Sequence, residues 1–237
     1  MSDPTPVPGK PAALWEDLVD VFVAPAELFR RRVDGKFGLA LLVLVVLTAV
    51  LFFATRDVMQ PIFDAEFTRG MAANPNLTAE QAEAARKFTT TFAPVMVLIG
   101  LPVGVLVLGI VIWIVGRIVG ARIGYMQGAT IATFAMFPRL VESVAGAVQA
   151  FLMDESALTS RFVVSLGLGR FLDPQSTGAV LLAFLGRVDV FTIWVTVLIA
   201  VGLKQMGRIT TAQAAAGAAV IWVLGAFPTL LGALQAK

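Results

Sequence analysis

The chain contains no cysteine and no histidine. Without thiols there is no disulfide framework, no thiolate nucleophile and no thiolate-bound metal; without imidazole there is no histidine base and no Cys/His metal set. Carboxylates are the acid and base groups that remain. Charge of either sign is scarce, at 14% of residues, against about 25% in an ordinary soluble domain. The 18 basic and 16 acidic residues leave a formal net charge of +2, too even a balance to recommend nucleic acid as a partner. No metal-ligand spacing is present, and neither a metal nor a cofactor is expected.

What the 237 residues do have is apolar length: 58% are hydrophobic and the mean hydropathy is +0.85. A helix crossing a bilayer core of about 30 Å needs roughly 20 apolar residues. Five segments qualify: Phe37 to Thr55, Phe92 to Gly116, Gly124 to Leu152, Val188 to Leu203, and Thr211 to Leu234. The expectation is an all-α polytopic membrane bundle of about five transmembrane helices with an N-terminal amphipathic segment. Residues 1–11 read as a disordered tail rich in proline, 12–36 as a cytoplasmic amphipathic arm, and 37–234 as the membrane domain. Nothing near the start has the pattern of a cleaved signal peptide.

In the arm, Leu14, Leu18, Val21 and Phe22 follow helical spacing while Glu16, Asp17 and Asp20 fall on another face, and Pro25 should break it into two short helices. It either lies on the membrane surface, with Trp15 and Phe22 at the headgroups, or packs on the bundle. Arg30, Arg31, Arg32 and Lys36 precede the first run, and the short connectors carrying Arg117 and Arg122, then Lys204 and Arg208, hold no acid. Basic flanks of this kind keep their side in the cytoplasm, so the N-terminus is expected inside. The lipid bilayer is the one partner the composition requires.

Polar residues 56–90 read as an exposed stretch with a short helix, started by a Thr78/Gln81 capping box and feeding the second span. Asn76-Leu77-Thr78 also matches a glycosylation sequon. Gly100, Gly104, Gly116 and Gly120, continued by Gly124, Gly128 and Ala132, form rows of small residues suited to close helix approach. From Asp154 to Gly186 the apolar pieces are too short to cross, and helices lying on or dipping into the outer surface are expected.

The third span carries the feature most in need of a reason. Pro138 should kink it, and Arg139 and Glu142 follow one turn on, near mid-span. Charges at that depth cost at least a few kcal/mol each, so each needs a partner or a wet cavity. At i and i+3 they can meet each other, and Asp189 and Arg187, beside the fourth span, are further candidate partners. Thr133, Ser143, Gln149, Thr192 and Thr196 can extend a polar seam.

Several pieces in order, VFVAPAELFRR, GYMQGATIATFAMFP and VDVFTIWVTVLIAVGLKQMGRITTAQA, resemble the bacterial members of the Yip domain family, the Ypt/Rab-interacting polytopic membrane proteins. The resemblance runs from about Trp15 to Pro228. It implies a five-helix fold, a cytoplasmic N-terminus and no catalytic residues; the high alanine, valine and glycine content with no cysteine points to a bacterial inner membrane. A DLYGP-type segment is absent from the arm, so a GTPase partner is not carried over. The leading expectation is a non-enzymatic adaptor or membrane-organisation factor in which Arg139 and Glu142 are a buried structural pair. A small-solute or ion transporter built on the kinked helices is the alternative, and an intramembrane enzyme using Glu142 with Asp189 ranks last.

Overall fold

In an apolar medium the backbone N–H and C=O groups of a leucine- and valine-rich run have only one another to bond, and the helix pairs them within one segment. The computed structural model describes residues 13–72, 78–174 and 176–227; the proline-rich tail, Asn76-Leu77 of the sequon and Pro228 lie outside this set. Among the described residues every regular element is helical, and the one β contact is an isolated bridge between Gly167 and Asp189. The fold is an all-α polytopic bundle.

The arm forms α1 (Leu14–Val23) and α2 (Pro25–Arg31), broken at Ala24 because Pro25 takes the first helical position of α2. One face of it packs on the bundle. Val21, Leu28 and Phe29 are fully buried, Phe29 meets Phe134 edge-on at 6.5 Å, and Phe22 meets Trp194 at 5.6 Å. The polar face expected for Asp17 is corrected too: its side chain is 0% exposed and accepts from Arg31 at 3.0 Å and from Arg32 Nε at 2.7 Å. Asp20 takes Arg31 as well, at 2.5 Å. Hydrogen bonds donated to Asp20 and then to Asp17 hold the Arg31 guanidinium above its ordinary range. The acids fasten the ends of a helical hairpin together, while Trp15, Val19 and Val23 stay on its exposed side.

Helix α3 spans Gly38–Ala72, 35 residues, or about 52 Å at 1.5 Å per residue. The first span therefore does not stop at Thr55 as expected. Its polar continuation stays helical because Ile62 is buried against Ala150, Leu158 and Val164, and because Gln60 with Asp64 and Glu66 with Arg69 pair along its surface. After residues 73–77 come α4 (Ala79–Val95) and α5 (Leu101–Ile118), joined by a π-turn at Met96–Gly100 into one 40-residue helix. The Thr78/Gln81 capping box forms with both of its bonds. The wide turn sits where Pro102 has no N–H for the carbonyl of Leu98, the usual reason for a break in the ladder.

The next helices are α6 (Tyr125–Ala135) and α7 (Pro138–Leu152), then a short α8 (Ala179–Leu185), α9 (Val190–Gly207) and α10 (Thr211–Leu224). Where two helices were expected between Asp154 and Gly186, the first apolar piece forms turns and short 3-10 segments and α8 alone is α-helical. Among the described residues four helices are long and apolar enough to cross a membrane: α3, the joined α4 and α5, α6 with α7, and α9. The described part of α10 is a shorter apolar helix, and the rest of its expected length lies past residue 227.

The closest packing is between α5 and α6. A Cβ on Gly128 would stand 2.5 Å from the carbonyl oxygen of Gly109, and one on Gly109 would stand 2.8 Å from Ala129. Around Gly100 and Gly104 there is open space, so the first part of the expected row is not the interface. Gly116 meets Ile123 and Leu203 instead, and Gly202 receives Ile131. Within the most apolar window of α3 only 11% of residues are buried inside the protein. Leu39, Leu42, Val46, Val50 and Phe53 face outward, a belt that water would not tolerate and acyl chains satisfy.

Candidate functional site

Pro138 places the first site residue. It cannot donate to the carbonyl of Phe134, which takes the N–H of Phe137 at 3.2 Å, so α6 ends in a turn and α7 restarts with Pro138 in its first turn. Arg139 and Glu142 then lie one helical turn apart on the same side of α7, and Arg139 Nη1 donates to Glu142 Oε2 at 2.5 Å.

The other arm of the guanidinium leaves the helix. Arg139 Nη2 donates to Thr192 Oγ1 at 3.0 Å, and that hydroxyl donates in turn to Asp189 Oδ2 at 3.0 Å. Asp189 is the N-cap of α9, its Oδ1 accepting the backbone N–H groups of Phe191 and Thr192, both at 2.8 Å. Glu142, Arg139, Thr192 and Asp189 form one continuous chain, and it joins α7 to α9. The two carboxylates do not bond each other, since Arg139 and Thr192 stand between them.

Arg139 stands near the middle of the 28-residue segment Tyr125–Leu152. Helix α9 has 18 residues and a length of about 27 Å; Thr192 is in its first turn. Arg139 therefore meets α9 at the start of that helix. The side chains of Arg139 and Glu142 are 36% and 35% exposed. Both line a cavity of about 300 Å³ together with Arg161, Ser165, Arg187 and Asp189.

Arg187 reaches this cavity but binds neither acid. Its Nη1 donates to the carbonyl of Gly225 at 2.9 Å, its guanidinium lies 5.5 Å from the Trp222 ring centre, and its buried Nε has no hydrogen-bond partner. A Cβ on Gly225 would collide with the guanidinium at 2.5 Å, so glycine makes room for it. Burial, and next the repulsion of Arg139, hold Arg187 below the ordinary arginine range; Asp189 pulls the other way. Among the seam residues, Thr133, Ser143 and Thr196 bond carbonyls of their own helices, while Gln149 reaches the carbonyl of Val164 at 2.8 Å. Arg161, Ser165 and Gly225 carry no local pattern by which a sequence reading would find them. Among the described residues no group of three or more His, Cys, Asp or Glu could hold a metal ion.

The Yip1 domain matches residues 19–232, nearly the whole chain. No curated protein matches, and no solved structure does.

Proposed function

The chain belongs to the Yip1 domain family, and from that premise we propose that this multi-pass membrane protein works without catalysis, as an adaptor or membrane-organisation factor. The observation that carries the reading is the chain from Glu142 through Arg139 and Thr192 to Asp189. Its members answer one another. The two acids that a carboxylate dyad would need are held apart, one by a guanidinium and the other by a hydroxyl and two backbone N–H groups. In this reading the chain is structural and sets the register of α7 against α9.

The arm belongs on the cytoplasmic side of a bacterial inner membrane. The packing supports this by gathering the basic segments: Arg122 N–H bonds the carbonyl of Gly207, and Gln127 bonds that of Val33. Arg30, Arg31, Arg32, Lys36, Arg117, Arg122, Lys204 and Arg208 thus cluster toward one end of the bundle, as the positive-inside tendency requires.

A second reading, solute transport, draws on the half-exposed pair beside its cavity. Proteoliposomes carrying the wild type and Arg139→Gln separate the two. A variant with lowered thermal stability, and a wild type with no flux, is the expected result. Flux in the wild type that is lost in a fully folded variant would replace the structural reading with transport.

A further inference from the structure

Two cations in the cavity at the N-terminal end of α9 form no ion pair among the described residues. Arg139 is taken by Glu142 and Thr192, and Asp189 is filled by its capping bonds and Thr192. Arg187 has a carbonyl and an aromatic ring, with its buried Nε unmatched. Arg161 lies 5.1 Å from the ring centre of Phe162, and among the described residues no carboxylate forms an ion pair with either side chain. A buried N–H without an acceptor is unfavourable, because it has lost its water and gained nothing in exchange. An incoming oxyanion would relieve that cost.

Size and place narrow the ligand. About 300 Å³ is at the small end of ligand sites, enough for a compact tetrahedral anion and its nearest substituents. The wall holds three arginines against two carboxylates, and the guanidinium fork matches phosphate oxygens two at a time. The cavity opens beside Asp189, the cap of a membrane-length helix. That is the level at which the apolar core gives way to headgroups.

We propose that this cavity binds a phosphate ester, held by Arg161 and Arg187 with Ser165 on the wall, and that its occupant is the headgroup of an anionic membrane lipid. The role goes beyond the structural one given to the Arg139 chain and does not depend on it. Phosphate chemistry is shared by free phosphate, so the test separates the two sources.

The full chain, purified in an uncharged detergent, is titrated with short-chain phosphatidylglycerol, with short-chain phosphatidylcholine and with inorganic phosphate. Binding is read by tryptophan fluorescence, because the Trp222 ring carries Arg187, and bound lipid is counted by native mass spectrometry. Phosphatidylglycerol should bind in preference to phosphatidylcholine. Arg161→Gln and Arg187→Gln should each weaken it about tenfold or more, the loss of one charge-assisted hydrogen bond. Arg170→Gln, an exposed arginine outside the cavity, should leave it unchanged. Equal binding of inorganic phosphate, with the same loss in the two variants, keeps the phosphate site and overturns the lipid as its occupant. If Arg187→Gln does not fold, Arg161→Gln alone decides. Binding that is indifferent to lipid charge, or unchanged in folded Arg161→Gln, overturns the proposal.

Discussion

Replacing Asp17 by asparagine should loosen the N-terminal arm from the bundle. The carboxylate is 0% exposed and is the shared acceptor of Arg31, at 3.0 Å, and of Arg32, whose Nε lies at 2.7 Å and whose Nη2 also contacts it. Asparagine keeps the shape, removes the charge and turns an N–H₂ group toward two guanidiniums. Removing one partner of a fully buried ion pair costs about 3–5 kcal/mol. Here the arginines are 36% and 21% exposed, and Arg31 keeps Asp20. Solvent screening and the surviving partner bring the figure down to about 2–3 kcal/mol. That is a rise of roughly 30- to 150-fold in the population with the arm detached. The absence of cysteine makes the measurement direct, because Val21→Cys supplies a single thiol at a position with 0% exposure. Its labelling rate by a membrane-permeant maleimide reports how often the arm opens. Val23→Cys, at a residue 72% exposed, should label quickly with or without Asp17→Asn. Equal labelling of Val21→Cys in the two backgrounds, within about twofold, would refute the argument that this ion cluster holds the hairpin down.

Two further changes test the packing and the polar chain. Gly128→Ala puts a methyl 2.5 Å from the carbonyl oxygen of Gly109, and overpacking of this kind should cost about 1–3 kcal/mol. Gly104→Ala meets open space and should be neutral or up to about 1 kcal/mol stabilising through helix propensity; thermal unfolding in detergent ranks the pair, and the opposite order would refute the assigned interface. Thr192→Val removes the hydroxyl shared by Arg139 and Asp189 and should cost about 1–2 kcal/mol, whereas Thr192→Ser should recover most of it. Equal stability of the valine and serine variants would show that the link between α7 and α9 contributes nothing.

The polar stretch after Thr55 shows where local reading ends. Residues 56–72 have the composition of an exposed connector, yet Ile62 is buried against Ala150, Leu158 and Val164, and the helix runs on to Ala72. Tertiary contact overrode composition there. The small-residue rows divide in the same way: spacing marked Gly100, Gly104 and Gly128 alike, but only Gly128 has a helix pressed against it. At the site, the i and i+3 spacing of Arg139 and Glu142 made their bond readable. The bond to Thr192 crosses 53 positions, and no periodicity connects them.

From the sequence alone follow the membrane class, the helical architecture, the break at Pro25, the capping box at Thr78 and the restart at Pro138. Each depends on groups within about four residues of one another, or on the cost of placing a side chain in water. Register and partnership were decided by the tertiary structure. It joined Arg139 to the first turn of α9 through Thr192, turned Asp17 from a solvated face into the fastening of the arm, and set Arg161 and Arg187 on one cavity with no ion pair to either side chain among the described residues. Those outcomes depend on how far one helix slides along the next, which Gly109, Gly116, Gly128 and Gly202 set by close approach, and a one-dimensional pattern does not contain that distance.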